Sequence, residues 1–206
     1  MYLLDCYSPV FCQVLEIIQN GEEYSDTLRE TILTVLAQAA YDAREKGYDG
    51  KEIEEAHFAT QVWVDEMLLS AGAEWLRFWR PASLQHIHYN SALGGHTFFE
   101  RLSRLPASGY QARLVYLFCL LCGFHGHFDC QDDNEIQKII QQQTKYLPEN
   151  IQTWVTQHDP GLMLSAPQPK ITSKYPVAKM LLYGGGGMIV AAYYFLSAMW
   201  LIHMSS

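Results

Sequence analysis

From Leu181 to Ile202 the chain carries no charged residue, and Lys170, Lys174 and Lys179 stand immediately before it. About 22 residues at ~1.5 Å each make ~33 Å of helix, enough to cross the hydrocarbon core of a bilayer. Only His203, Met204, Ser205 and Ser206 follow, so the segment reads as a tail anchor inserted after synthesis. The organisation expected is a cytoplasmic helical domain over 1–169, a basic juxtamembrane linker over 170–180 and a transmembrane anchor over 181–203.

The run Gly184 to Gly187 argues against a buried helix of a soluble core, where each glycine costs about 1 kcal/mol relative to alanine. Lipid-embedded helices tolerate glycine better, because the backbone has no water to turn to. Gly187 and Ala191 form a small-xxx-small pair that lets a second transmembrane helix approach, a packing face for self-association. Tyr183 and Trp200 fit aromatic positions at the two interfaces.

All 14 Lys and Arg precede Leu181, which by the positive-inside bias places the N-terminal body in the cytoplasm. The start, Met1-Tyr2-Leu3-Leu4-Asp5, lacks the basic region of a signal peptide. Five cysteines in no regular framework suit free thiols in a reducing compartment. Before Lys170, eleven cationic side chains face 22 acidic ones, a net of about −11. Such a body repels phosphate backbones, so nucleic acid is not an expected partner; proteins and membrane lipid are.

The body reads as all-α. Ser8-Pro9 predicts a helix start and Gly21 its end; Ser25 to Lys46 predicts a second helix, stopped by Gly47, with Leu28, Ile32, Val35, Leu36 and Ala39 as its apolar stripe. A third follows Asp49-Gly50, with Glu52, Glu54 and Glu55 in its first turns, and runs to about Ser70. Shorter helices are predicted over 73–78, 82–89 and 96–105. The run from Leu114 to Cys122 is apolar on every side and reads as the central buried helix. A polar helix over 134–146 and a short one after Pro148 complete the domain.

Two constellations carry chemistry. Cys119, Cys122, His125, His127 and Cys130 are five soft-metal ligand types within twelve residues, but the spacing fits no named zinc module, and cysteines inside an apolar helix commonly act as small hydrophobes. No metal or other cofactor is expected. The second is Asp65-Glu66. On a helical projection Asp65 lines up with Gln61, which predicts a solvated stripe, whereas Glu66 falls on the apolar side of Ala59, Val62 and Trp63. A carboxylate there requires an arginine, backbone amides or a partner protein. Adjacent helix residues point about 100° apart, so the pair does not converge for acid–base catalysis. No phosphate loop and no Gly-x-Ser-x-Gly elbow is present, and no enzymatic activity is expected.

The ordered set of Ala59 to Leu69 with Asp65-Glu66, Trp75, Leu84 to Phe99 with Gly94-Gly95 and Phe98-Phe99, and Leu120 to Phe128 with Gly123 and Gly126, ahead of a terminal anchor, resembles the DotU/TssL (IcmH) family. These are inner-membrane proteins of bacterial type VI and type IVB secretion systems. His96 stands where the family has glutamate, and His127-Phe128 replace its Arg-Tyr. The resemblance implies a hook-like cytoplasmic domain of two small helical bundles with an acidic cleft. It also implies partner contacts through those motif residues, and association with an IcmF/TssM-like membrane protein and with baseplate proteins such as a TssK-like subunit. With the anchor expected at 181–203, the periplasmic peptidoglycan-binding extension of some members is not expected here. A tail-anchored helical regulator of the Bcl-2 kind is the alternative, but its Asn-Trp-Gly-Arg is absent: Trp75 lies between Glu74 and Leu76. A membrane-bound Cys/His metalloprotein is the third reading.

Overall fold

The computed structural model describes residues 1–89, 94–126 and 133–157. The expected linker and anchor, with Gly187 and Ala191, lie outside the described residues, as do His127 and Cys130. Among the described residues every regular element is helical, and no helix is long and apolar enough to cross a membrane.

Helix α1 (Leu3–Asn20) begins earlier than Ser8-Pro9 predicts, with Pro9 inside it. Proline has no N–H to give the Asp5 carbonyl, but the Ser8 hydroxyl donates to that carbonyl at 3.0 Å, so the helix passes through without an orphaned acceptor. Gly21 ends it with φ +65°, and the Glu22 N–H closes back on the Ile17 carbonyl at 3.0 Å. Helix α2 (Asp26–Glu45) starts as expected, with the Ser25 hydroxyl oxygen accepting from the Leu28 N–H at 3.2 Å. Helix α3 (Gly50–Ala71) is capped by the Asp49 carboxylate, which accepts from the N–H groups of Lys51 and Glu52.

There follow α4 (Ala73–Trp79), a 3-10 turn (Arg80–Ala82), α5 (Leu84–Tyr89), α6 (Gly94–Arg104), α7 (Tyr110–Leu121), α8 (Asp133–Thr144) and α9 (Glu149–Gln157). Helix α6 begins two residues ahead of the predicted start at 96, so Gly94 and Gly95 belong to its first turn.

One apolar core runs from Leu3 to Val155, and α3 is its axis, packed against α1, α2, α4, α5, α6 and α7. Trp63, Trp75, Trp79, Tyr116 and Phe98 are among its largest buried side chains. Burial of each contributes about 1.5–3 kcal/mol, before the entropy of ordering it. Helix α7 is buried over most of its length, as its uniformly apolar run predicts. It also buries a cation: Arg113 is 2% exposed, donates to the carbonyls of Leu105 and Pro106 at 2.7 and 3.1 Å and to the Gln143 side chain, and lies over the Tyr146 ring. That guanidinium fastens the α6–α7 connection to α8.

Candidate functional site

Four carboxylates of α3 organise what surrounds it. Near its start, Glu52 accepts from the N–H groups of Gln111 and Ala112 at 3.0 and 3.5 Å, so it meets the free amides that open α7. One turn on, Glu55 accepts the Tyr116 hydroxyl at 2.7 Å and pairs with Arg101 at 3.4 Å. Arg101 also stacks 4.1 Å above the Phe58 ring, which joins α6 to the same face of α3.

Asp65 has no solvent exposure. One oxygen accepts the indole N–H of Trp79 at 2.7 Å and the Leu84 N–H at 2.9 Å; the other accepts the Gln85 N–H at 2.9 Å. The solvated stripe predicted for it is therefore wrong: Gln61 and Asp65 do share a side of α3, but α4 and α5 cover Asp65 there, and Gln61 too is buried. Burial pushes the Asp65 carboxyl above its ordinary range, against the opposing pull of the N–H groups of Gln85, Trp79 and Leu84.

Glu66 serves the other side. Its two oxygens accept from the backbone N–H groups of His125 at 2.7 Å and Gly126 at 2.9 Å, in the turn that leaves α7. Of the partners open to a carboxylate on an apolar face, backbone amides are the ones observed. Burial raises this carboxyl too, offset by the same two amides.

Residues between 94 and 126 close the arrangement. A side-chain carbon on Gly94 would fall 1.7 Å from the Gln85 amide oxygen, so α6 approaches α5 through that missing atom. Gly126 has φ +64°, and a carbon there would lie 2.9 Å from the Phe99 ring and 3.0 Å from the Gly95 carbonyl. Phe98 is fully buried, its ring centroid 4.6 Å from Tyr116 and 4.2 Å from Phe124. Phe99 stacks on Phe124 at 6.0 Å. Asp65 with Gly94, and Glu66 with Gly95, Phe99 and Gly126, are thus two halves of one latch that holds α5, α6 and the 122–126 turn on α3.

A family model described as "Type VI secretion system protein DotU" matches residues 2–202. The chain belongs to that family. No curated protein matches it. Among solved structures, the cytoplasmic domain of TssL from Acinetobacter baumannii is similar with a TM-score of 0.63 at 21% identity, over 75% of this chain and 99% of that one. SciP/TssL of the type VI secretion system from enteroaggregative Escherichia coli 042 is similar with a TM-score of 0.57 at 24% identity, over 71% of this chain and 88% of that one. At these identities the likeness shows the fold: an all-helical body like the TssL cytoplasmic domain.

The remaining DotU motif residues stand apart from the latch or at its edge. Trp75 is 2% exposed and donates its indole N–H to the Glu22 carbonyl at 2.8 Å, which fixes the α1–α2 connection on α4. Gly123 takes φ +86° just after α7, with open space around it. Of the Cys/His cluster, Cys119, Cys122 and His125 are among the described residues. The Cys119 thiol donates toward the Ala59 carbonyl at 3.7 Å, and burial pushes it well up; the Cys122 thiol is pushed up to about 12, chiefly by burial. Among the described residues no three His, Cys, Asp or Glu side chains converge as a metal site.

A groove of about 720 Å³ lies between the start of α3, the end of α6 and the start of α7. Asp49, Glu52 and Glu55 line it together with Lys51, Arg101 and Arg104, so its charge is mixed rather than acidic. Sequence reasoning placed Glu52 and Glu55 only as first-turn charges of α3, without their contacts to α6 and α7, and missed Trp79 and Gln85 as partners of Asp65. Trp79 carried a signal, since a buried indole N–H needs an acceptor.

Proposed function

We propose that this DotU-family chain is a non-enzymatic scaffold subunit of a type VI secretion membrane complex, a single-pass inner-membrane protein with its helical body in the cytoplasm and 181–203 as its span. The observation that carries the reading is the extent of the family match, which runs from the body to residue 202 and takes in the uncharged segment. The placement of all Lys and Arg ahead of Leu181 supports the orientation.

In this reading the body docks an IcmF/TssM-like inner-membrane protein and baseplate proteins such as a TssK-like subunit, and Gly187 with Ala191 supplies a packing face for a second copy. The hook-like outline of two bundles belongs to the same proposal. The motif residues act on partners indirectly. Asp65 and Glu66 have their oxygens taken up by N–H groups of the chain itself, so their contribution is to set the surface formed by α5, α6 and the 122–126 turn. The same occupancy leaves neither carboxylate poised for turnover.

Copurification of the full-length chain from membranes in several mild detergents tests the proposal. Recovery with a large multi-span membrane protein is expected. Recovery of the intact chain alone in every detergent contradicts it.

A further inference from the structure

The α1–α2 hairpin turns at Gly21, so the first turns of α1 lie beside the end of α2. There the Lys46 ammonium donates to the Cys6 sulfur at 3.5 Å. Cys6 is 3% exposed and unbridged, whereas Lys46 is exposed. The base of the lysine is fixed: its backbone N–H bonds the Asp42 carbonyl at 3.0 Å as the capping residue of α2. A nucleophilic sulfur and an amine nitrogen are thus held in contact between two helices, with one end of the pair open to small solutes.

We propose that Cys6 and Lys46 form a covalent tether in response to hydrogen peroxide, a sulfenamide that joins α1 to the end of α2. The Cys6 thiol gives up its proton and its sulfur attacks one peroxide oxygen; the O–O bond breaks, the sulfenic acid forms, and the departing hydroxide takes up that proton as water. The Lys46 ammonium then releases a proton to solvent, and its nitrogen attacks the sulfenic sulfur. The S–N bond forms, the S–O bond breaks, and the leaving hydroxide takes a nitrogen proton to become a second water. Sulfur is oxidised by two electrons and peroxide is reduced by two. Excess thiol reverses the bond by attack on sulfur, which returns the amine.

The pairing also explains why this cysteine would stop at the tether. A sulfenic acid with no nucleophile beside it is open to further oxidation to the sulfinic acid, which is irreversible without a dedicated enzyme. The amine at 3.5 Å competes with the second peroxide as an intramolecular reactant, at an effective concentration that solution peroxide does not reach.

The test uses the full-length chain in detergent with Cys12→Ser, which removes the exposed thiol, treated with peroxide, digested and weighed. The expected product joins the peptides bearing residues 6 and 46, about 2 Da below their summed mass, two hydrogens having been lost, and dithiothreitol separates them. Lys46→Arg and Cys6→Ser each abolish it; Lys46→Arg, a surface change, decides the matter alone if the buried serine does not fold. Cys6 recovered as sulfinic or sulfonic acid, or unchanged, with trypsin still cutting after Lys46, overturns the proposal.

Discussion

Asp65 accepts the indole N–H of Trp79 at 2.7 Å, with both side chains out of reach of water. That bond and two backbone N–H groups use both oxygens of one carboxylate, which ties α3 to α4 and α5 at a single point. Asp65→Ala leaves three buried donors without an acceptor, and a loss of about 3–5 kcal/mol is expected. Asp65→Asn keeps one acceptor oxygen and sets an amide against a backbone N–H, for a loss of about 1–3 kcal/mol. Urea midpoints of wild type and both variants check the order.

Glu66 has fewer dependants. Its carboxylate serves two amides in a partly buried turn, so Glu66→Ala is expected to cost about 1–3 kcal/mol, less than Asp65→Ala. The same urea series ranks the two. Equal midpoints for wild type and Glu66→Ala would remove Glu66 from the latch.

Gly126 and Gly123 separate backbone strain from close approach. Both hold a positive φ, which costs a side-chain-bearing residue about 1–2 kcal/mol. Only Gly126 also faces a ring and a backbone carbonyl within 3.0 Å. Gly123→Ala is therefore expected to cost about 1–2 kcal/mol and Gly126→Ala about 2–4 kcal/mol, read from thermal or urea unfolding.

His57 gives the body a pH dependence. Burial lowers its pKa from an ordinary 6.5 to about 4, helped by the neighbouring charges of His88 and Arg44. Because the folded value lies below the unfolded one, its contribution is fully present above about pH 6.5. It is lost as pH falls towards about 4, and amounts to something on the order of 2–3 kcal/mol. Asp65 and Glu66 act with the opposite sign: their raised carboxyls favour the folded state at low pH, and that contribution is lost as pH rises through their raised folded values. Unfolding midpoints between pH 7 and 4 should fall less steeply for His57→Gln than for wild type. Parallel curves would assign the acid loss elsewhere.

The helical body was legible where the chain announces its own ends: Ser25 and Asp49 cap helices, Gly21 and Gly47 stop them, and the apolar run of α7 is buried as its composition demands. The early start of α1 was hidden because Ser8 repairs the gap that Pro9 makes, a compensation invisible to a rule that reads proline as a first-turn residue. Asp65 failed for a tertiary reason. A projection places side chains around one helix and knows nothing of α4 and α5, which arrive from 14 to 20 residues downstream to cover that side. Glu66 was easier, since its apolar neighbours already demanded a buried acceptor role.

The latch is tested most directly by amide hydrogen exchange on the full-length chain, comparing wild type with Asp65→Asn and Glu66→Gln. Faster exchange is expected at Leu84 and Gln85 in the first variant and at His125 and Gly126 in the second, each leaving the other pair nearly as in wild type. Unchanged exchange at all four amides, in variants that no longer recover membrane partners, would contradict the latch and make the two carboxylates direct contacts.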